Sequence, residues 1–150
     1  MNIPKHHVIR AAQNKLDSML ADHRDRISDL RSATIRDELQ ETASQSESNR
    51  TADIELLDRF SEQAQRLERE RDLLERFEEK TLMDSVRPGA MVITNKRNFL
   101  IGPSIEEFAA DGVEFLGLST DAPLYKALDG RRKGDQVKFH DVAYDILDVR

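Results

Sequence analysis

Cysteine and histidine, which often act as nucleophiles, proton carriers or metal ligands, are rare in this sequence. It contains no cysteine and four histidines. His6 and His7 are adjacent, so on a helix they lie on different faces. His23 falls on an apolar helical stripe, and His140 falls in a predicted turn. Because a metal site requires several ligands that converge at matched spacing, the sequence predicts no metal held by this chain alone.

The segment STDAPLYKALDGRRKGDQV, residues 119–137, combines hydroxyl side chains, a turn proline and three consecutive cations. It contains no catalytic triad and no glycine-rich phosphate loop, so no catalytic residue is predicted in it. The stretch from Ala122 to Leu128 predicts a short helix that ends at Gly130. The role of this segment must therefore be inferred from the structural elements around it.

The composition is typical of long solvated helices. Charged residues make up 35% of the 150 residues and aromatic residues only 5%. The net charge of −6 argues against independent DNA binding through phosphates. The lack of cysteine fits a reducing compartment, and no apolar run approaches the roughly 20 residues that a membrane span needs. We therefore expect a soluble cytoplasmic protein.

The first half of the chain has the pattern of two long helices. Pro4 suits a helix start, and apolar positions then recur at steps of three and four residues. A second such run lies between residues 51 and 83 and is expected to stop near Pro88. Residues 44–50, SQSESNR, carry no apolar side chain and predict a turn. The two stripes are Ile9, Ala12, Leu16, Met19, His23, Ile27, Leu30 and Thr34, then Ile54, Leu57, Phe60, Ala64, Leu67, Arg71, Leu74 and Phe77.

Helices of similar length joined by a polar turn can fold back and bury their stripes against each other. This predicts a monomeric, antiparallel coiled-coil hairpin over residues 1–84, with its tip near 44–50. Each helix would be roughly 55 Å long. The alternative is that each stripe meets a second copy of the chain, which would make the protein a dimeric coiled-coil adaptor.

The second half of the chain, residues 85–150, changes to the period of strands. AMVIT, NFLIG, QVKF and VAYDILDV are short β-type runs, and Asp111-Gly112 between two apolar runs signals a hairpin. Together with the short helix, these runs predict a small antiparallel sheet domain. The expected fold class is α+β, with the helical hairpin preceding the sheet.

Residues 119–135 resemble the C-terminal signature of the GreA/GreB transcript cleavage factors, which is a strand ending in Ser followed by Ser-Pro-x-x-x-Ala-Leu-x-Gly-Lys-x-x-Gly-Asp. Arg131 stands in place of the usual lysine, and Tyr125 stands where the family often has glycine. The matching positions are Ser119, Pro123, Ala127, Leu128, Gly130, Gly134 and Asp135.

The resemblance implies an FKBP-like C-terminal domain that docks on the rim of the secondary channel of bacterial RNA polymerase. It also implies a coiled coil that passes down the channel, so that its tip nears the active centre and the RNA 3′ end. The implied polymerase-binding loop consists of Ser119, Asp121, Ala122, Pro123, Leu124 and Lys126. The implied tip consists of Ser46, Glu47, Ser48, Asn49, Arg50 and Asp53.

The tip departs from the family pattern. In the cleavage factors an Asp and a Glu three residues apart help to hold a second Mg²⁺ beside the polymerase's own. The matching positions here are Ser46 and Asn49, which carry no charge, and Glu47 is the only acid in SQSESNR. The sequence therefore predicts a factor that modulates polymerase without strongly stimulating cleavage, and that has no cofactor of its own.

Three alternatives stay open. The chain could stimulate transcript cleavage, with Glu47 and a shoulder acid, Glu41 or Asp53, sharing a Mg²⁺ ion with polymerase. It could be a prolyl isomerase, since FKBP-like domains include such enzymes, although these need an apolar, aromatic-rich pocket. It could be the dimeric adaptor. The first interpretation, a regulator that is not itself an enzyme, fits the most features.

Overall fold

The structure, a computed structural model, describes residues 2–39, 45–77 and 81–150. Within these ranges two long helices precede a sheet that carries one short helix, which confirms the α+β class. Among the described residues, no helix has the length and apolar content to cross a membrane. The elements are α1 (Lys5–Leu39), α2 (Gln45–Glu75), β1 (Met91–Thr94), β2 (Phe99–Gly102), β3 (Ile105–Ala110), β4 (Val113–Ser119), α3 (Pro123–Leu128), β5 (Gln136–Phe139) and β6 (Val142–Val149).

The chain divides into two compact units. One contains Asp17–Arg69, and the other contains Met1–Leu16 together with Glu70–Arg150. The second unit thus includes the start of α1 and the end of α2 as well as the sheet. The domain boundary near residue 84 that the sequence suggests stays a prediction.

In the unit Asp17–Arg69, α1 and α2 pair as antiparallel helices of one chain. His23 Nε2 lies 2.9 Å from Gln63 Oε1, and its Nδ1 lies 2.9 Å from the Met19 carbonyl oxygen. Further along α1, the Arg26 guanidinium lies 5.9 Å from the centre of the Phe60 ring. From the first contact to the second, the residue number rises from 23 to 26 on α1 and falls from 63 to 60 on α2, as an antiparallel hairpin requires.

In the unit with the sheet, both helix segments bury apolar residues. Val8, Ile9, Ala12, Leu16 and Leu74 are fully buried. Such burial stabilises a fold by about 1.5–3 kcal/mol for each large aliphatic side chain. The stripes predicted from the sequence therefore serve as core in this unit.

The sheet has the strand order β3-β4-β2-β1-β6-β5. Strands β1 and β2 lie inside it, and all their residues are buried. Strands β2 and β4 pair in parallel, Phe99 with Leu116 through Gly102 with Ser119. The sheet is therefore mixed and not purely antiparallel, because the connection between β2 and β4 contains the edge strand β3.

Two tight turns connect neighbouring strands. Asp111 and Gly112 join β3 to β4 with φ of 51° and 78°, which is the predicted hairpin turn. His140 and Asp141 join β5 to β6 with φ of 45° and 62°. Positive φ at both central residues matches the right-handed twist of the paired strands.

The sequence-based bounds of α2 need correction at both ends. Helix α2 begins at Gln45, so residues 45–50 are helical and not a turn. The segment has no glycine or proline, and Ser and Asn cost a helix well under 1 kcal/mol each. At the other end α2 stops at Glu75, long before Pro88. The helix ends in two tighter bonds, from the Arg76 N–H to the Leu73 carbonyl and from the Phe77 N–H to the Leu74 carbonyl. The Phe77 ring packs against Gly102 and Gly89 of the sheet unit.

Candidate functional site

The loop after β4 is a turn fixed by its own hydrogen bonds. The Ser119 hydroxyl oxygen accepts from the Asp121 N–H at 3.1 Å, and the Ser119 carbonyl accepts from the Ala122 N–H at 3.0 Å. Ala122 has extended backbone (φ −67°, ψ 136°), and Pro123 opens α3. Proline suits this position because its missing N–H would have no partner there. The serine therefore ends the strand and closes the turn that starts the helix.

Helix α3 is anchored by its inner face. Leu128 is fully buried and Tyr125 is 9% exposed in the core of the sheet unit. The Tyr125 hydroxyl donates to Asp129 Oδ1 at 3.2 Å. Burial raises the pKa of Tyr125, and the neighbouring Asp129 carboxylate raises it further. A helix of six residues has little stability alone, so these contacts hold the loop in place.

The residues of the predicted polymerase-binding loop differ in how far their side chains are exposed to solvent. Asp121, Pro123 and Lys126 are exposed, whereas Ser119, Ala122 and Leu124 are half-buried. Leu124 and Ala122 pack against the core cluster. The surface that this loop offers to a partner therefore comes mainly from one carboxylate, one proline ring and one ammonium group.

The predicted tip is described only in part. Glu41 lies outside the described residues, and Ser46, Glu47, Ser48 and Asn49 are described only as backbone of α2. Arg50 is exposed and Asp53 is half-buried. At 3.6 residues per turn, positions 46, 49 and 53 share one helix face, whereas positions 47 and 53 are about 120° apart around the axis. The helix therefore does not bring Glu47 and Asp53 to one face.

Two residues at the start of α1 have partners that the sequence does not predict. His7 Nδ1 lies 2.7 Å from Asp111 Oδ2 in the β3–β4 turn. Lys5 is 4% exposed, and its Nζ donates to the Thr81 carbonyl at 2.8 Å. Desolvation lowers the pKa of Lys5, and the nearby Arg87 charge lowers it further. No local pattern signals these pairs, because each joins positions far apart in the chain.

The aromatic residues of the sheet unit serve mainly as core. Phe99, Phe108, Phe115 and Tyr125 are each at most 9% exposed. A cavity of about 450 Å³ beside the β1–β2 turn is lined mostly by polar and charged residues, including Lys96, Arg97, Glu107 and Glu114. Phe115 is the one aromatic residue in that lining. This cavity lacks the aromatic-rich character that a prolyl isomerase needs.

The described residues contain no group of three or more His, Asp or Glu side chains placed to hold a metal ion. Three consecutive cations stand at positions 131–133, a signal that is visible in the sequence. In the structure they follow directly after α3 and the predicted binding loop.

No family model matches the chain, and no curated protein matches it. Among solved structures, it is similar to the transcription factor Gfh1, with 19% identity and a TM-score of 0.37 over 93% of each chain. It is also similar to GreA factor homolog 1 (Gfh1) of Thermus thermophilus, with 17% identity and a TM-score of 0.34 over 93% of this chain and 95% of that one.

Proposed function

We propose that this chain regulates transcription elongation by binding bacterial RNA polymerase at its secondary channel. The observation that carries the proposal is the segment 119–135. Its serine-closed turn, proline-started helix and Gly130 helix end take the form that the motif predicts, and they leave Asp121, Pro123 and Lys126 exposed. This loop would contact the rim of the channel.

The paired helices would enter the channel, and the tip would approach the active centre and the RNA 3′ end. The outer faces of both helices are rich in charged, exposed side chains. A narrow solvated rod of this kind suits a water-filled pore, because it stays soluble when it is withdrawn. The chain would act as a monomer in the cytoplasm.

The factor would modulate polymerase without strongly stimulating cleavage of the transcript. Ser46 and Asn49 stand where the cleavage factors have acids, and neither side chain carries a charge. Mg²⁺ is usually bound through one or two carboxylates, because their charge offsets the cost of removing water from the ion. The alternative is cleavage that depends on Glu47 and a shoulder acid, Glu41 or Asp53. Positions 47 and 53 are about 120° apart around the axis of α2, which favours modulation over cleavage by that pair, and Glu41 lies outside the described residues.

The docking loop is tested by measuring the affinity of labelled full-length protein for bacterial RNA polymerase. Asp121→Lys with Lys126→Glu reverses both exposed charges of the loop, and Pro123→Asp with Leu124→Asp removes its apolar surface. We expect each pair to weaken binding about tenfold, which corresponds to about 1.4 kcal/mol. Because Leu124 packs against the core, far-UV circular dichroism must show that the second variant folds.

The matched control is Val142→Asp with Leu147→Asp on β6. These residues are 37% and 50% exposed and belong to the same unit, so the control adds the same charges at a different surface. We expect its affinity to equal that of the wild type. Equal weakening by control and loop variants, or no weakening by folded loop variants, would show that the loop is not the contact.

A further inference from the structure

The turn that follows α3 concentrates positive charge in an acidic chain. Five cations and two carboxylates lie between residues 126 and 138, whereas the whole chain has a net charge of −6. Arg131, Arg132 and Lys133 are exposed, as is Lys126 on α3. We call Lys126, Arg131 and Lys133 the cationic patch.

The carboxylates near this patch have other partners. Asp135 Oδ2 accepts a hydrogen bond from the Arg132 backbone N–H at 2.8 Å, and Asp129 Oδ1 accepts from the Tyr125 hydroxyl. Arg132 itself lies 3.8 Å from Asp84, with both side chains well exposed. Among the described residues, no carboxylate lies within ion-pair distance of the three patch cations. Their charge is therefore available to a partner.

The backbone under the patch is held firmly. The Arg131 carbonyl accepts from the Val86 N–H at 2.8 Å, and the Val86 carbonyl accepts from the Gly130 N–H at 2.8 Å. On the other side, the Gly134 N–H donates to the Ile146 carbonyl at 2.8 Å. A surface already fixed in one shape loses less conformational entropy when it binds. These bonds fix the backbone that carries Arg131 and Lys133, so binding needs to order only the side chains of these cations.

We propose that Lys126, Arg131 and Lys133 form a docking surface for an acidic segment of polypeptide. Opposite charges across an interface steer association and fix its register. The patch adjoins the loop that carries Asp121 and Pro123, because α3 has six residues and is only about 9 Å long. The inference rests on the proposed function only for the identity of the partner, which would be an acidic stretch of the polymerase rim.

A polypeptide fits the patch better than a nucleic acid does. Single-stranded nucleic acids bind to aromatic side chains that stack on bases, and the one aromatic residue of α3, Tyr125, is buried. A polypeptide needs no such stacking surface, because its carboxylates can pair with the exposed cations alone.

The test uses the full-length protein, the variant Arg131→Glu with Lys133→Glu, and the control Lys96→Glu with Arg97→Glu in the β1–β2 turn. The control changes the net charge equally at exposed residues elsewhere. Binding of a fluorescent polyglutamate peptide of about 20 residues is measured at low salt, with poly(U) RNA as competitor. Exposed ion pairs are worth up to about 1 kcal/mol each, so we expect the patch variant to bind polyglutamate about tenfold more weakly and the control to be unchanged.

The same proteins are then titrated against RNA polymerase. If polymerase binds the wild type and the control alike but the patch variant about tenfold more weakly, both proposals are supported. If the patch variant loses polyglutamate binding but the wild type does not bind polymerase, the proposed function is overturned and the acidic-peptide surface is not. No polyglutamate binding by the wild type, equal binding by both variants, or stronger binding to poly(U) would overturn the acidic-peptide surface.

Discussion

The contact between Phe77 and Gly102 should control the stability of the sheet unit. Gly102 ends β2 with φ of +133°, and a Cβ atom added there would overlap the Phe77 ring. A side chain at positive φ costs about 1–2 kcal/mol, and overpacking adds about 1–3 kcal/mol. We therefore expect Gly102→Ala to lower the free energy of unfolding by about 2–5 kcal/mol.

Gly112→Ala is the matched control for this prediction. Gly112 has φ of +78° in the β3–β4 turn, and a Cβ atom there would meet nothing within 4 Å. It should therefore incur only the backbone cost of about 1–2 kcal/mol. The difference between the two variants contains the clash with Phe77 together with the larger backbone cost at φ of +133°, and removal of the ring separates the two.

The assay is urea unfolding followed by far-UV circular dichroism, with Phe77→Ala and the double variant completing a cycle. Removing the ring removes the clash, so the cost of Gly102→Ala should fall by at least about 1 kcal/mol in the Phe77→Ala background. Equal costs at Gly102 and Gly112, with no coupling to Phe77, would refute the view that this ring packs closely against the end of β2.

Two further predictions concern Lys5 and the oligomeric state. Because burial lowers the pKa of Lys5 in the folded state from 10.5, the unfolded chain binds this proton more tightly, and stability should rise with pH between the lowered pKa and 10.5. Urea midpoints measured up to pH 10 should show this rise in the wild type and not in Lys5→Met. If the two proteins have parallel pH profiles, the titration of Lys5 does not cause the rise. Since α1 and α2 pair within one chain, sedimentation equilibrium should give the mass of a monomer, and a stable dimer would favour the adaptor interpretation.

The elements of the sheet unit could be predicted because their signals are local. Asp111-Gly112 specifies a hairpin turn, and Pro123 and Gly130 bracket α3. The parallel pairing of β2 with β4 could not be predicted, because no short-range pattern specifies it. The end of α2 at Glu75 lies before the predicted end near Pro88, and the Phe77 ring contacts Gly102, which is distant in sequence and has no local signal.

The candidate site could be predicted in part. The motif at residues 119–135 identified the loop and its helix, but the exposure of Asp121 and the partial burial of Leu124 depend on how α3 packs. The polar run SQSESNR suggested a turn, yet its residues after Ser44 belong to α2. Polar composition alone does not break a helix when glycine and proline are absent.

The most direct test of the proposed function is the length of the RNA in backtracked polymerase complexes at saturating factor. We expect the wild type to slow elongation while shortening the transcript little, and Ser46→Asp with Asn49→Glu, which restores the acid pair, to increase cleavage. Glu47→Ala should leave the wild-type behaviour unchanged. Strong cleavage by the wild type that disappears in Glu47→Ala would contradict the proposal, as would the absence of any effect on polymerase.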